Sequence, residues 1–206
     1  MSNMFVNPIQ PVITTGGCIS VYKDAWPEWE TTIKILEEAS ENYQESEFVW
    51  YRAMTHGSGV NQTHRTNRTA DLTFAANYGK NLDIKAIHNG ISLTLQSAIE
   101  DFKSKFMDDN AVLQAESLQV LKYSTGQEYK AHADSGPGLI RDISAILYLN
   151  DDYEGGELEF PYFDVKIKPS AGMYILFPSS FPYAHIAHPV ISGTKYAVVT
   201  WLRQIQ

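Results

Sequence analysis

The sequence predicts an α+β domain that is mainly β, in which an antiparallel sandwich or jelly roll follows a helical N-terminal part. Helical spacing of apolar residues dominates before residue 110, and short apolar or alternating segments separated by turn residues dominate after it. A chain of 206 residues is long enough for one domain with a buried core. We therefore expect a single domain over residues 1–206, with a helical part at 1–110 and a β core at 111–206.

Two segments of the N-terminal part predict helices. In WPEWETTIKILEEASE a proline suited to a first turn precedes apolar residues at helical spacing: Trp29, Ile33, Leu36 and Ala39. Across residues 82–106 apolar residues recur every three or four positions throughout: Ile84, Ile87, Ile91, Leu95, Ala98, Phe102 and Phe106. The second pattern predicts a long amphipathic helix.

Eight short strands are predicted after the long helix: 117–123, 129–133, 143–150, 156–160, 164–168, 173–178, 184–188 and 196–203. The segments NDDYEGGE and PSAG are strong turn signals between them. So many short strands without an intervening helix are typical of a sandwich or jelly roll, which pairs most of its strand edges. The early helices would then cover one sheet.

Composition excludes several classes of protein. The formal net charge of -8 argues against binding to nucleic acid through phosphates, although HRTNR could form a local basic patch. The start of the sequence has no basic stretch followed by an apolar run, and no apolar run reaches spanning length, so we expect a cytoplasmic protein without a membrane partner. A single cysteine, Cys18, permits no internal disulfide and is expected to be structural.

His132 and Asp134, in YKAHADSGPG, are the first candidate metal ligands. Because they are two positions apart in an extended segment, their side chains leave the same face. The segment PYAHIAHPV offers two candidates for a third ligand, His185 and His188. Two imidazoles and one carboxylate on one face of an octahedron are typical of non-haem Fe(II) oxygenases, whereas a structural zinc site is usually closed by four ligands.

Lys195, in GTKYAVVTWLR, begins a strand that is otherwise almost wholly apolar. A buried charge without a partner is expensive, so this lysine would need a carboxylate, which a dicarboxylate ligand could supply. The alternative is a lysine whose ammonium group reaches solvent at the end of the strand.

Four separated motifs are similar, in order and spacing, to those of the 2-oxoglutarate and Fe(II) dependent dioxygenases, and they most resemble the prolyl 4-hydroxylase type: YSTGQEYKAHAD, AILYLNDDYEGGELEF, HIAHPV and GTKYAVVTWLR. The resemblance covers about residues 115–203. It implies a double-stranded β-helix (jelly roll) core with the N-terminal helices packed against one sheet. It also implies that Fe(II), 2-oxoglutarate and O₂ take part in the reaction, with ascorbate supporting activity.

The same resemblance implies roles for individual residues. Three residues become the iron ligands and the catalytic centre: His132, Asp134 and His185. The family has a proline four residues after its distal histidine, as Pro189 is here, which selects His185 over His188. Lys195 would pair with the distal carboxylate of 2-oxoglutarate. Two hydroxyls and an indole would line the cosubstrate pocket or flank the iron: Tyr123, Tyr148 and Trp201.

The polar segment 55–69 predicts either an ordinary loop or a lid over the substrate, and its HRTNRT part loosely resembles the Arg-Thr-rich loop of prolyl hydroxylases. Its many hydrogen-bond donors suit an extended, proline-containing peptide. Ring faces for the proline would come from three residues: Tyr129, Tyr183 and Trp201. His56 and His64 are expected to face solvent or substrate rather than metal.

The sequence therefore predicts an oxygenase that hydroxylates a prolyl residue of a peptide or protein and releases succinate and CO₂. One alternative is the same chemistry on another side chain or a free amino acid. Another is a non-catalytic jelly-roll protein that holds Zn²⁺ or Ni²⁺, against which Lys195 argues because such a site needs no buried cation. A nucleic-acid demethylase of the same superfamily is disfavoured by the acidic charge and by a lack of arginines other than Arg203 after the distal histidine.

Overall fold

The structure, a computed structural model, describes residues 13–15, 17–55, 59–108 and 110–205. These residues form four helices: α1 (Trp29–Glu41), α2 (Tyr43–Ser46), α3 (Leu72–Tyr78) and α4 (Leu82–Phe106). A short 3-10 helix lies at Pro161–Phe163. Of the helices in the described ranges, none combines the length and apolar character that a membrane span requires.

The described residues also form fifteen strands: β1 (Ile13–Thr15), β2 (Ile19–Tyr22), β3 (Tyr51–Arg52), β4 (Arg68–Asp71), β5 (Val112–Ala115), β6 (Gln119–Ser124), β7 (Tyr129–His132), β8 (Ile143–Tyr148), β9 (Glu154–Gly155), β10 (Leu158–Phe160), β11 (Val165–Ile167), β12 (Met173–Pro178), β13 (His185–Ala187), β14 (Val190–Ser192) and β15 (Thr194–Ile205). The main sheet has nine strands in the order β1-β2-β12-β8-β15-β6-β4-β3, with β5 also paired to β15. A smaller sheet has the order β11-β10-β13-β7, and β14 pairs with β9. The pairings within all three sheets are antiparallel.

The main sheet lies between the helices and the smaller sheet, and each of its faces has its own apolar core. Strand β15 shows the division: Val198 and Leu202 belong to the core shared with the helices, and Ala197 and Val199 to the core shared with the smaller sheet. Side chains alternate along a strand, so a strand buried on both faces needs a nearly continuous apolar sequence. The run YAVVTWL has this character.

Helix α4 covers the helical face of the main sheet. Its predicted apolar stripe is buried from Ile84 to Phe102, and Phe106 is partly buried at its end. The Asn81 side chain caps the helix by accepting hydrogen bonds from the backbone N–H groups of Asp83 and Ile84. Burying each large aliphatic side chain contributes about 1.5–3 kcal/mol, so the stripe is the main source of this packing.

The predicted fold class, a jelly roll with helices against one sheet, is confirmed, but the N-terminal part also supplies strands that its periodicity does not predict. Strand β4 has the sequence RTAD, without apolar alternation, and is a strand because it pairs with β6 from Arg68 opposite Lys122 to Asp71 opposite Gln119. Strand β2 similarly extends the main sheet beside β12. That residues 1–206 form one domain stays a prediction.

Candidate metal and cosubstrate site

Two neighbouring strands of the smaller sheet bring three predicted ligands together. Strand β7 ends at His132, β13 begins at His185, and these two residues are directly paired. Asp134 follows β7 by two positions. Its Oδ1 lies 3.5 Å from His132 Nε2, and its Oδ2 lies 3.8 Å from His185 Nε2. The candidate ligand atoms of the three residues all lie within 4.8 Å of one another.

Hydrogen bonds orient both imidazoles. His132 Nδ1 lies 2.8 Å from the Lys130 carbonyl oxygen, and His185 Nδ1 lies 3.1 Å from the Tyr183 carbonyl oxygen. We therefore assign the proton to Nδ1 in each ring, which directs the lone pair of Nε2 towards the cluster. Burial and the neighbouring His132 lower the pKa of His185 to about 4, although Asp134 opposes the shift. A neutral His185 suits metal ligation rather than an ion pair.

The Asp134 carboxylate is held by a pair of serines. Ser144 Oγ donates to Asp134 Oδ2 at 2.6 Å, and the Ser144 and Ser179 hydroxyls are 2.9 Å apart. The Asp134 backbone N–H donates to the Ser179 carbonyl oxygen at 3.0 Å. Burial raises the pKa of Asp134, but His185, His132 and the Ser144 hydrogen bond together lower it well below its ordinary value. The carboxylate is therefore ionised at neutral pH.

The donor set fits Fe(II). Two imidazole nitrogens and one carboxylate are the facial set of non-haem Fe(II) sites, and within the described ranges no fourth histidine, cysteine or acidic residue joins the cluster. His188 instead contacts Glu159 Oε2 through Nε2 at 2.6 Å. His64 packs against the Tyr129 ring, with 5.6 Å between ring centroids. His56 lies outside the described residues.

A cavity of about 520 Å³, a volume that includes open space at its mouth, lies between the main sheet and the smaller sheet. It is lined by the three candidate ligands and by all four residues predicted to serve the cosubstrate: Lys195, Tyr123, Tyr148 and Trp201. The structure therefore brings all the residues predicted to bind the metal and the cosubstrate to one cavity.

Lys195 is the buried cation of this cavity, with 2% of its surface exposed. Its Nζ donates to the Gly156 carbonyl oxygen at 2.9 Å and lies 4.6 Å from the Tyr123 ring centroid and 5.8 Å from that of Tyr148. Among the described residues, no carboxylate lies within ion-pair distance of it. The lysine is thus positioned to bind an anion that enters the cavity.

Burial shifts the ionisation of the groups around this anion site. Burial and nearby Lys168 together lower the pKa of Lys195 to about 7, although Glu157 opposes the shift. Burial raises the pKa of Tyr123 to about 12 and raises that of Tyr148 well above its ordinary value. Both phenols therefore keep their protons at neutral pH and can donate hydrogen bonds to an anion.

Several supporting residues were not predicted. Gly156 has φ +66°, and a Cβ there would lie 2.9 Å from the Tyr153 ring and 3.3 Å from Lys195 Cδ, so only glycine fits. The double glycine of NDDYEGGE signals a turn but not its contact with the lysine. Ser144 occurs within the apolar run ISAILY, and its sequence position carries no signal of its bond to Asp134.

The cavity opens onto a wider groove, and Arg65 and Trp201 line both. The Arg65 guanidinium lies 4.6 Å from the Tyr129 ring centroid. The backbones of residues 64 and 66 are hydrogen-bonded to β7 and the residue before it. The end of the predicted polar loop is therefore a wall beside β7, whereas residues 56–58 lie outside the described ranges.

Tyr129 lines the groove, as expected for a ring face, but Tyr183 does not. The Tyr183 ring packs on Phe163 with 4.8 Å between centroids, and its hydroxyl accepts a hydrogen bond from the backbone N–H of Cys18 at 3.3 Å. The Cys18 side chain is half-buried rather than part of the core. Tyr183 is therefore better placed to orient His185 through its own carbonyl oxygen.

Comparison with known proteins agrees with this geometry. Residues 118–203 match the family model described as the 2OG-Fe(II) oxygenase superfamily. Probable prolyl 4-hydroxylase 9 of Arabidopsis thaliana is 32% identical over 117 residues, covering 43% of this chain and 41% of that protein. Prolyl 3-hydroxylase 2 of Homo sapiens is 44% identical over 66 residues, covering 30% of this chain and 9% of that protein.

A solved structure extends the likeness over most of the chain. A prolyl hydroxylase from Trichoplax adhaerens, in complex with a hypoxia inducible factor oxygen degradation domain peptide fragment, matches with a TM-score of 0.73 at 18% identity, covering 92% of this chain and 84% of that one. At that identity the match shows the fold alone. The chain spans less than half the length of the two curated relatives. The predicted resemblance to 2OG/Fe(II) oxygenases of the prolyl hydroxylase type is confirmed.

Proposed function

We propose that this protein is an Fe(II) and 2-oxoglutarate dependent oxygenase that hydroxylates a prolyl residue in a peptide or protein. One observation carries the proposal: a two-histidine, one-carboxylate cluster shares a cavity with a buried lysine that has no carboxylate partner among the described residues. The cluster suits Fe(II), and the lysine suits a dicarboxylate such as 2-oxoglutarate. Their presence in one cavity supports an oxygenase reaction over mere binding of a metal.

His132, Asp134 and His185 would hold the iron, and their hydrogen bonds prepare them for it. The carbonyl oxygens behind the two imidazoles keep Nε2 unprotonated, and Ser144 fixes the carboxylate. When bound, Fe(II) supplies the redox chemistry by which O₂ oxidises a C–H bond and 2-oxoglutarate is decarboxylated. One oxygen atom of O₂ ends in the new hydroxyl and the other in succinate, with CO₂ released, and ascorbate would keep the iron reduced.

Lys195 would bind the distal carboxylate of 2-oxoglutarate, with the Tyr123 and Tyr148 rings close to the same end of the cavity. The remaining wall is apolar, formed by residues such as Leu121, Ile146 and Val199, and it limits the access of water to the reaction. The lysine would therefore orient the cosubstrate, while the wall favours productive oxidation.

The groove supports an extended polypeptide substrate rather than a free amino acid. It is open and much larger in volume than the cavity, and its lining includes the rings of Tyr129 and Trp201 together with Asp134. The names of the relatives, which include prolyl 3- and prolyl 4-hydroxylases, add support for proline as the target. The position of the new hydroxyl on the ring is an outcome that the experiment decides.

The test is succinate release by purified protein with Fe(II), ascorbate and O₂, run with a panel of prolyl peptides and, in parallel, with free amino acids. We expect succinate that depends on a prolyl peptide, and mass spectrometry that maps one added oxygen to proline. Hydroxylation of free amino acids or of another side chain, with prolyl peptides inert, would overturn the proposed substrate. Absence of succinate under every condition, despite Fe(II) binding, would favour the non-catalytic metal-binding alternative.

A further inference from the structure

Three arginines line the groove: Arg65, which also lines the cavity, and Arg141 and Arg203, which do not. Two of them are already engaged by neighbouring groups. Arg65 donates from Nε to Asn67 Oδ1 at 2.9 Å and from NH1 to the Met54 carbonyl oxygen at 3.0 Å. It thereby braces the segment beside β7, and its charge is partly satisfied.

Arg141 is engaged still more completely. Its Nε and NH2 donate to the two carboxylate oxygens of Glu116 at 2.7 and 2.6 Å. Its guanidinium also stacks over the Trp201 ring, 3.6 Å from the ring centroid. This bidentate ion pair neutralises the carboxylate, so Glu116 adds no free negative charge to the groove.

Arg203 differs from both. Its side chain is exposed, and among the described residues it has no hydrogen-bond or ion-pair partner. It lies opposite Gln114 of β5, which is neutral, and the nearby Asp142 accepts a hydrogen bond from the backbone N–H of Gln204. The outer part of the groove therefore carries a guanidinium that, among the described residues, has neither an ion-pair nor a hydrogen-bond partner.

The position of Arg203 in β15 fixes its relation to the reaction site. Residues 195, 197, 199, 201 and 203 alternate along the strand and share the face that turns to the cavity and groove. Trp201 lines both spaces, and Arg203 lies about 7 Å further along the strand. Apart from the three arginines, Glu116 and Asp134, the residues that line the groove are uncharged, and Thr69 Oγ1 donates to Gln119 Oε1 at 3.4 Å.

We propose that Arg203 selects substrates that carry an aspartate or glutamate near the hydroxylated residue. The inference rests on the proposed function and adds to it the charge of the substrate. A carboxylate that reaches the guanidinium would form a charge-assisted pair in a groove whose other two arginines already donate hydrogen bonds to neighbouring groups. The net charge of -8 does not oppose this, because charges beyond about 8 Å are largely screened at physiological ionic strength.

The spacing predicts where the acidic residue lies. A polyproline-II segment advances about 3.1 Å per residue, so the separation of about 7 Å between Trp201 and Arg203 corresponds to roughly two or three residues from a target proline that lies against Trp201. The groove does not define the direction of the peptide chain. The test peptides therefore carry the acidic residue on either side of a single proline.

The experiment compares prolyl peptides that differ only in one flanking residue, glutamate, glutamine or lysine, placed in turn at each of four positions on both sides. For at least one position we expect the KM of the glutamate peptide to be roughly three- to tenfold lower than that of the glutamine peptide, with a similar kcat. The difference should shrink at high salt. R203Q should bring the two KM values together, and Arg203→Glu should favour the lysine peptide.

Arg68→Gln is the matched control. Arg68 is an exposed arginine of the same sheet, but it does not line the groove. It lies opposite Lys122 in the strand pairing, and the Lys122 ammonium contacts Glu37 on the helical side. It should keep the preference for glutamate. Equal KM values for all three peptides during efficient prolyl hydroxylation, or a preference that survives R203Q, would overturn the role of Arg203 and leave the proposed function standing. No hydroxylation of any prolyl peptide would overturn both.

Discussion

The two faces of the main sheet show how one set of strands serves two purposes. The face towards the helices packs against α4 with almost wholly apolar side chains, whereas the face towards the smaller sheet carries Lys195 and opens onto His185 and Asp134. Both faces use alternate residues of β15. Substitutions on the helical face should therefore reduce stability, and substitutions on the cavity face should reduce ligand binding.

The largest effect should come from Asp134→Ala on the cavity face. Removing the one carboxylate of the donor set should abolish turnover and weaken Fe(II) binding by more than about a hundredfold, since loss of even an indirect support typically costs about 10- to 100-fold. Anaerobic Fe(II) titration and succinate release measure both. His188→Ala is the control, because His188 contacts Glu159 instead of the cluster. Metal binding that survives Asp134→Ala, or is lost with His188→Ala, would refute this assignment of ligands.

On the helical face, Leu202→Ala should lower the free energy of unfolding by about 2–5 kcal/mol, because Leu202 is 2% exposed and its loss leaves a cavity. Urea denaturation measures the change. The KM for 2-oxoglutarate should stay within about twofold of the wild-type value. A large change in KM without a loss of stability would show that the two faces are not independent.

Lys195→Met should have the opposite effect to Leu202→Ala: a changed KM without a loss of stability. It should raise the KM for 2-oxoglutarate about ten- to a hundredfold, the range expected when a charge-assisted hydrogen bond of about 1.5–3 kcal/mol is lost. Stability should be unchanged or higher, because a buried ammonium without a carboxylate partner is removed. Lys195→Arg tests whether charge alone suffices. An unaltered KM in the methionine variant would exclude the lysine as the anchor.

A smaller effect should appear in the pH dependence of 2-oxoglutarate binding. The pKa of Lys195 is lowered to about 7 by burial and by Lys168, with Glu157 opposing, and the surrounding phenols of Tyr123 and Tyr148 stay protonated. Below pH 7 the lysine is charged and affinity should be constant. Above pH 7 it is increasingly neutral, so binding must take up a proton and affinity should fall by at most about tenfold per pH unit.

Isothermal titration in two buffers of different ionisation enthalpy measures this proton uptake directly. Lys195→Arg is the control, because arginine stays charged throughout the range and should remove the pH dependence. His185 does not contribute above pH 6, since its pKa is lowered to about 4. Proton release instead of uptake between pH 7 and 9 would contradict the prediction.

Features with a periodic or chemically distinctive pattern were predictable from the sequence. The stripe of α4 and the apolar run of β15 show their periods directly, and His132, Asp134 and Lys195 are conspicuous because such residues are costly in strands. The choice of His185 over His188 needed the resemblance and Pro189. The structure gives a geometric reason, because only His185 is paired with His132.

Other features arise from contacts between distant parts of the chain. Strand β4 depends on β6, whose paired residues follow about 50 positions later, and the bond from Ser144 to Asp134 spans 10 positions; neither partner has a local signature. The partial burial of Trp201 beneath Arg141 likewise depends on the loop after β7. A single sequence lacks this information because a polar residue in a strand or turn looks the same with or without such a partner.

Strand β15 is twelve residues long, and its hydrogen bonds to β6 at one end and to β5 at the other hold the distance between its ends fixed. From Lys195 to Arg203 it spans eight residue steps, or roughly 27 Å. Under the proposed roles, the residue that binds 2-oxoglutarate and the residue that selects the substrate are separated by a fixed length. During evolution, mutation of Arg203 at the exposed end would then change which proteins the enzyme binds. The cosubstrate site around Lys195 at the buried end would stay the same for every substrate.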